Sequence, residues 1–246
     1  MTKKIYLPDV TLLAASSVDL DNTQLALRIS RLNIDFGAVK LLSHARPSHT
    51  APNIEYIAIP PMDFAGYSRF MLEDLYKYVD TSHCLVVQAD GFVLHAELWR
   101  DEFLEYDYVG APWPESVLLQ PGSQILCFGS NRVGNGGFSL RSRKLLGVTA
   151  QIKFDSLDFP VKSEDLVICH YLYNEMTAKG IRFAPPELAA RFAIEATDNL
   201  YGQNIGSVFG FHGKHWRDAL LRNTEQNHFI EALLRTAEFM PQSIRQ

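Results

Sequence analysis

The stretch Leu85-Val86-Val87-Gln88-Ala89-Asp90-Gly91 carries a short apolar segment directly into an acidic residue followed by glycine. Apolar segments of this length that stop at a turn signal are typical of buried strands in a parallel sheet. Asp90 would then emerge at the carboxyl end of its strand, the edge at which open α/β sheets bind ligands. A carboxylate there can hold a metal ion or a sugar hydroxyl. An Asp-Gly pair at a strand end also fits a plain turn.

Strand-like and helix-like segments alternate upstream of this stretch. The strand patterns cover 10–15, 37–42 and 54–59, and the helical patterns cover a segment capped by Asp21 or Asn22 and the segment 67–78. Such alternation implies right-handed crossovers and a mostly parallel sheet with helices on both faces. We therefore expect an α/β fold of the Rossmann-like type.

The pattern changes after Gly91. Helical spacing covers 97–106. Two strand patterns follow, at 107–110 and 133–142, with a loop-rich segment between the two. Helical patterns return at 166–176 and from Trp216 onward. Long loops inside a compact domain are usually functional or mobile. We expect a single domain that ends in a C-terminal helical segment.

Composition excludes several classes of protein. The net charge of −5 and the pI of about 5.9 argue against a nucleic-acid-binding surface, which needs clustered Lys and Arg. The three cysteines lie far apart without a Cys-x-x-Cys pair, so neither a zinc knuckle nor a disulfide framework is indicated, and we expect a cytoplasmic setting. No apolar segment is long enough to span a bilayer, so any membrane association is expected to be peripheral.

The glycine cluster Gly134, Gly136 and Gly137 lacks the order of a dinucleotide fingerprint and the lysine of a P-loop. Glycines remove side chains where the backbone must approach a ligand or a neighbouring strand, and the sequence leaves both readings open. Trp113, in a proline-flanked loop, is equally open between a core residue and a flat face on which a sugar ring packs.

Two further features carry ionisable groups. Glu164 and Asp165 stand at a predicted helix start, either as surface acids that suit the helix dipole or as a general base. Adjacent residues on a helix do not share a face, so we expect at most one of them to point into a site. His212 lies between Gly210 and Gly213, and is either a structural hydrogen-bonder or a partner of Asp90 in a site suited to Mn²⁺.

The order of these segments resembles that of GT-A-fold glycosyltransferases. Along almost its whole length the chain is similar to an uncharacterised, mainly bacterial glycosyltransferase-like family, through Gln88-Ala89-Asp90-Gly91-Phe92, the block 106–113, the segment 133–142, Glu164-Asp165 and Phe209-Gly210-Phe211-His212-Gly213. The segments 136–140 and 164–166 also resemble the glycine-rich and Glu-Asp-Val motifs of inverting β-1,3-glycosyltransferases. The resemblance implies a GT-A-like domain over 1–246, with a nucleotide-binding half (1–91), an acceptor and catalytic half (92–215) and a helical tail (216–246).

The implied reaction is transfer of a sugar, with inversion, from a nucleotide-sugar donor to a hydroxyl of a glycan or other acceptor, in surface polysaccharide biosynthesis. Asp165 is the implied base and Glu164 the alternative, while Asp90 and His212 would hold Mn²⁺ or Mg²⁺ at the diphosphate. Many metal-dependent members carry Asp-x-Asp where this chain has Gln88, and an amide oxygen brings no charge, so weaker metal affinity is expected.

The remaining implied contacts are to the donor and the acceptor. Ala15, Ser16, Ser17 and Gln88, with Asp90, would bind the nucleotide; Trp113, Asn135, Gly136 and Gly137 would line the sugar and acceptor site; and Lys214 or Arg217 would help to neutralise the diphosphate. Two other functions remain open on the same fold, a non-catalytic nucleotide- or carbohydrate-binding module and a nucleotidyltransferase. The latter usually needs a glycine-rich, basic loop after the first strand, which this sequence lacks.

Overall fold

The computed structural model describes residues 4–118, 125–195 and 200–222. The strands are β1 Ile5–Ser16, β2 Ile34–Ser43, β3 Glu55–Ala58, β4 His83–Val87, β5 Tyr108–Val109, β6 Ala111–Pro112, β7 Ser116–Leu118, β8 Ile125–Cys127, β9 Val133–Gly134, β10 Phe138–Ser142, β11 Ala193–Ile194 and β12 Gly210–Phe211. The α-helices are α1 Leu20–Ser30, α2 Phe64–Glu73, α3 Arg143–Thr149, α4 Glu164–Leu166, α5 Tyr173–Ala178, α6 Pro186–Phe192 and α7 Lys214–Arg222. The predicted tail beyond residue 222 lies outside the described residues.

The central sheet has six strands in the order β3-β2-β1-β4-β10-β5. The pairs β2–β3, β1–β2 and β1–β4 are parallel, whereas β10 runs antiparallel to both β4 and β5. The expected α/β fold with a mainly parallel sheet is therefore confirmed. The first four strands follow the doubly wound order 3-2-1-4, which places the reversal of strand order between β1 and β4.

Alternation along the central strands explains why helices cover both faces of the sheet. In β1, Leu12 packs in one apolar cluster with Leu27 of α1, whereas its neighbour Leu13 packs in another cluster with Phe70 of α2. Successive side chains of a strand point to opposite faces, so both faces of β1 are buried against helices. Burial on both faces favours the continuous apolar sequence that marks these strands.

Register brings distant segments to one edge of the sheet. Leu13 of β1 pairs with Val86 of β4, so the two parallel strands end at the same edge. Phe138 of β10 pairs with Val87. Because β10 is antiparallel, its amino end meets the carboxyl end of β4, and the glycine-rich loop before it arrives beside Gln88 and Asp90.

Several predicted boundaries are corrected. The first helix begins after Asp19, which takes a left-handed conformation (φ 49°), and not after Asp21 or Asn22. The helix predicted over 97–106 is a pair of short 3-10 helices, Ala96–Leu98 and Asp101–Glu105, because Trp99 and Arg100 between them are extended. The helix predicted over 166–176 is interrupted by a π-helical turn, Val167–Tyr171, a feature that is frequent near functional sites. In the part of the chain that the structure describes, no helix is both long and apolar enough to cross a bilayer.

Candidate active site

A cavity of ≈ 640 Å³ opens where β1 and β4 end. Its position at the reversal of strand order is the place where open α/β sheets bind ligands. Every site residue predicted above lines this cavity except Trp113 and Asn135, and the lining also includes Lys214 and Arg217. Segments separated by more than a hundred residues therefore meet at one site.

The strand end at Gln88–Gly91 is both a turn and part of the cavity wall. The Gly91 N–H donates to the Gln88 carbonyl at 3.1 Å, so the Asp-Gly turn is present. Within it, the Asp90 side chain lies 28% exposed beside the His212 ring. The two readings of this stretch are compatible, because the turn holds the carboxylate at the cavity.

His212 is surrounded by oxygen acceptors. It follows β12, which pairs in parallel with β11, and Glu195 directly follows β11. His212 Nδ1 lies 3.0 Å from Glu195 Oε1, and Nε2 lies 3.2 Å from Gln88 Oε1 and 3.5 Å from Asp90 Oδ1. Gln88 Nε2 donates to the Tyr67 hydroxyl at 2.8 Å, which turns the amide oxygen toward the imidazole.

These contacts favour the imidazolium form of His212. Burial by itself lowers the pKa of His212, but hydrogen bonds to Asp90 and Glu195 outweigh it and raise the pKa to about 10. The hydrogen bond from His212 in turn lowers the pKa of Asp90 against the opposing effect of burial. The ring therefore donates from both nitrogens and holds a positive charge at the cavity wall.

Glycine is required at the two loop positions that border the cavity. A Cβ on Gly137 would collide with the His212 ring, and a Cβ on Gly136 would collide with the Glu164 carboxylate. At Gly134 the corresponding space is filled by the Trp113 indole in the core, so protein packing accounts for glycine at all three positions. Without side chains at these positions, the loop can lie close to His212 and Glu164 and also to Trp113.

Glu164 belongs to a buried ion pair. Its Oε1 accepts a hydrogen bond from Arg141 Nη2 at 3.0 Å, and the two side chains expose 5% and 0% of their surface. The same Arg141 donates to the Gly136 carbonyl (3.3 Å) and to Ser139 Oγ (3.0 Å). Burial and the nearby Asp165 charge raise the pKa of Glu164, while Arg141 opposes the rise.

Asp165 is fixed by main-chain donors. Its Oδ2 accepts from Gly136 N at 3.0 Å, and its Oδ1 accepts from Leu166 N at 2.8 Å and from the Ser163 hydroxyl. Glu164 and Asp165 both line the cavity, so the expectation that only one of them reaches the site is wrong. The reason is that the loop at Gly136 passes across the helix start and meets both carboxylates.

Trp113 and Asn135 have other roles. Trp113 is 7% exposed and packs on Phe128 with 4.5 Å between ring centroids, so we assign it to the core. Asn135 is fully buried with φ 77°, and its Oδ1 accepts from Gly137 N (3.0 Å) and Phe138 N (3.3 Å). It shapes the glycine loop without lining the cavity.

Sequence reasoning missed Tyr67, Arg141 and Glu195. Glu195 directly follows the apolar segment Phe192-Ala193-Ile194, and an acid at the end of an apolar segment is a signal that could have identified it. Arg141 lies inside the glycine-rich segment that was singled out, but nothing in the sequence distinguishes a buried arginine from an exposed one. Tyr67 carries no local signal.

The donor set can be compared with the needs of a divalent cation. Over the described ranges, no cluster of three His, Cys, Asp or Glu side chains is placed to hold a metal. The oxygen and nitrogen atoms that converge are Asp90 Oδ1, His212 Nε2 and the neutral Gln88 Oε1. Carboxylate, imidazole and amide donors fit Mn²⁺ or Mg²⁺ if His212 gives up its Nε2 proton and the ligand's own oxygens complete the coordination shell. Glu195 on Nδ1 is the usual outer partner of a metal-binding histidine.

Among solved structures, the chain is similar to the mannosyltransferase PcManGT from Pyrobaculum calidifontis in complex with GDP-Man and Mn²⁺, at 12% identity and a TM-score of 0.42, over 74% of this chain and 55% of that chain. It is also similar to the apo form of the glycosyltransferase GlyE from Streptococcus pneumoniae TIGR4, at 12% identity and a TM-score of 0.44, over 86% of this chain and 54% of that chain. Both likenesses are distant, and the chain spans about half the length of each of these structures.

No curated protein matches the chain. One family model matches residues 54–212, from β3 through the His212 segment. That range covers most of the chain and nearly all of the cavity wall contributed after β2. The chain therefore belongs to the family described as "Protein of unknown function (DUF5672)".

Proposed function

We propose that this chain is a GT-A-like glycosyltransferase that moves a sugar from a nucleotide-sugar donor to an acceptor hydroxyl. The proposal rests on the convergence of five separate chain segments at one cavity. The strand end at Ser16, the turn at Asp90, the loop at Gly136, the acids at Glu164 and the histidine segment at His212 line one cavity. Those after β3 are the segments on which the sequence resemblance to glycosyltransferases rests.

The acceptor is activated by Asp165 in this proposal. Glycosyl transfer passes through an oxocarbenium-like state, and the acceptor hydroxyl must lose its proton to a base. Asp165 lies at the cavity wall in a fixed orientation, held by Gly136 N at 3.0 Å and Leu166 N at 2.8 Å. Glu164 is the second candidate, since burial raises its pKa toward that of an effective base. Its pairing with Arg141 favours a role in holding the loop.

The leaving diphosphate meets the opposite need, for positive charge. Asp90, His212 and Gln88 would hold the cation, which when bound supplies charge neutralisation to the departing phosphate. Without a metal, the His212 imidazolium supplies positive charge at this position, and Lys214 and Arg217 line the same cavity. Ala15, Ser16 and Ser17 end β1 at the nucleotide side, and Gly136 and Gly137 border the sugar.

The finer features of the proposal rest on the sequence resemblance. They are an inverting outcome, a glycan acceptor in surface polysaccharide biosynthesis, a cytoplasmic setting, and the division into a nucleotide-binding half (1–91), an acceptor half (92–215) and a tail (216–246). Inversion requires Asp165 to lie across the donor sugar from the diphosphate.

A non-catalytic nucleotide-binding module is the second candidate. Gln88 supports it, because the neutral amide stands where an acid of the metal site is expected and is already committed to Tyr67 and His212. Such a module would bind the donor with saturation and without turnover.

A thermal-shift panel tests the proposal. Nucleoside diphosphates and nucleotide sugars are added one by one, with and without Mn²⁺, because a ligand that binds only the folded state raises Tm by mass action. We expect at least one nucleotide to raise Tm, and Mn²⁺ to enlarge the rise. Absence of a shift across the whole panel would contradict the proposal. The variant Asp90→Ala is the matched control for the contribution of Mn²⁺.

A further inference from the structure

Two apolar side chains stand exposed at the mouth of the cavity. Val18 is 74% exposed and Phe64 is 69% exposed, and both line the cavity. Isolated exposed apolar side chains are normal and need no explanation. Among the described residues, however, the other large hydrophobic side chains with high exposure, such as Tyr6 at 73%, do not line it. The site therefore has an apolar edge in addition to its charged wall.

Local hydrogen bonds hold Val18 in place. Ser16 Oγ accepts from Val18 N at 3.2 Å and donates to the Val18 carbonyl, so one hydroxyl fixes both sides of the residue. The next residue, Asp19, has φ 49°, a conformation that costs energy for any residue except glycine. The loop after β1 is thus built to hold Val18 outward.

Phe64 lies in the capped first turn of its helix. A hydrogen bond also links the segment before Phe64 to the segment before Val18. Asp63 Oδ1 accepts from Gly66 N at 2.7 Å and caps α2 directly before Phe64. Ser17 Oγ accepts from Met62 N at 2.7 Å, which links the residue beside Val18 to the segment that leads into Phe64. Hydrogen bonds therefore fix the main chain beside both apolar side chains.

A ligand that suits this cavity has a flat apolar end and an anionic end. Val18 lies just after the carboxyl end of β1, and Phe64 begins α2, whose preceding segment is hydrogen-bonded to that strand end. This is next to the reversal of strand order where open α/β sheets bind ligands. Lys214 and Arg217 line the same cavity, as does Asp90, the proposed ligand of a divalent cation that would pair with phosphates. A nucleoside diphosphate has this combination, because its base stacks on an aromatic ring while its phosphates meet the cations.

We propose that Val18 and Phe64 form a nucleobase clamp, in which the base of a nucleoside diphosphate stacks on the Phe64 ring and contacts the Val18 side chain. This clamp rests on the proposed nucleotide-sugar chemistry of the cavity, and it names the residues that supply base affinity. Val18 and Phe64 would then determine the affinity for the donor and not the rate of the chemical step.

Calorimetric titration tests the clamp with Mn²⁺ held constant. The tightest nucleoside diphosphate of a panel is first identified on the full chain, and its Kd is then measured on Phe64→Ala, Phe64→Trp and Val18→Ala. We expect Phe64→Ala to weaken Kd by about tenfold, the scale of base stacking on an aromatic ring. Phe64→Trp should restore most of the affinity, and Val18→Ala should weaken it by a smaller factor.

Two controls isolate the base. Tyr6→Ala removes an equally exposed aromatic ring that does not line the cavity, and it should leave Kd unchanged. Inorganic pyrophosphate lacks a base, so its Kd should be the same in all variants. All the altered side chains are exposed, and unchanged Tm values will verify that the variants fold.

The outcomes separate the clamp from the proposed function. If Phe64→Ala binds the nucleoside diphosphate as tightly as the wild type while transfer persists, the clamp is overturned and the function stands. If Phe64→Ala lowers turnover with unchanged nucleotide affinity, the ring contacts the sugar or acceptor, and the clamp is again overturned. If the wild type binds no nucleoside diphosphate, the proposed function fails and the clamp fails with it.

Discussion

Two charged clusters border the cavity, and they differ in how far solvent reaches them. In the inner pair, Arg141 and Glu164, the side chains are 0% and 5% exposed. In the outer cluster, which comprises Gln88, Asp90, Glu195 and His212, the ionisable side chains are 19–31% exposed. The inner cation is a guanidinium, which does not lose its proton in proteins, whereas the outer cation is an imidazolium, which can.

The two clusters therefore differ in role: the inner pair fixes the glycine loop, and the outer cluster is open to the cavity. Arg141 uses its hydrogen bonds on Glu164, Ser139 and Gly136, and so fixes the loop that holds Asp165. The outer cluster keeps an edge open to the cavity, where a ligand or a metal can replace the proton of His212. Arg141 thus supports the cavity wall with a permanent charge, whereas His212 lines the cavity with a charge that it can lose.

The largest expected effect is on kcat when the proposed base, Asp165, is replaced. Asp165→Asn should lower kcat for transfer by about 100- to 10,000-fold, the usual contribution of a general base. Donor Kd should change little, because the base acts on the transition state. Steady-state kinetics and calorimetry measure the two quantities. Asp158→Asn, an exposed aspartate outside the cavity, is the control. Full turnover by Asp165→Asn would remove the residue from this role.

Breaking the inner pair should cost stability. Arg141→Met leaves Glu164 buried without its partner, so the free energy of unfolding should fall by about 3–5 kcal/mol. Urea unfolding followed by circular dichroism measures the change. The double variant Arg141→Met/Glu164→Leu removes both charges and should recover part of the loss. A single variant as stable as the wild type would show that the pair does not stabilise the fold.

The outer cluster should instead affect ligand binding. Asp90→Ala should abolish the extra Tm rise that Mn²⁺ gives in the presence of a nucleotide. Where Mn²⁺ is present at about 100 times its Kd, that rise corresponds to about 3 kcal/mol of stabilisation. Stability without ligand should change less than in Arg141→Met, since Asp90 is partly solvated. Identical Mn²⁺ effects in the variant and the wild type would dismiss the metal site.

The pH dependence of stability distinguishes the clusters more finely. The folded pKa of His212 is raised to about 10, above its ordinary value, so its contribution is complete below about pH 6.5 and is lost as pH rises through about 10. The groups that face the ring are Asp90, Glu195 and Gln88. As pH rises between these limits, the stability of the wild type should fall relative to that of His212→Gln. Parallel pH profiles of Tm would contradict this.

The sequence predicted the parts of the site that follow a strand. Asp90 and Ser16 follow continuous apolar segments, and the carboxyl ends of neighbouring parallel strands meet at one edge, so their convergence could be foreseen. The antiparallel direction of β10 was not foreseen, although it is what brings Gly136 and Gly137 to Asp90. Strand direction depends on long-range pairing that local patterns do not encode.

The inner pair was beyond sequence reasoning for a different reason. Nothing local distinguishes Arg141 from an exposed arginine, because its burial depends on Glu164, which lies 23 residues away. Trp113 was undecided for the same reason, since Gly134 opens the space that its indole fills. Pair contacts of this kind appear only when the chain is folded.

The proposed function requires that the cavity turns over a nucleotide sugar. The most direct measurement is release of nucleoside diphosphate by the full chain, given the nucleotide sugar that raises Tm most, an acceptor and Mn²⁺. We expect saturable release by the wild type, and in Asp165→Asn a release rate that is lower by the factor expected for loss of a base. Saturable binding of the same nucleotide sugar with no release would contradict glycosyl transfer and would identify a binding module.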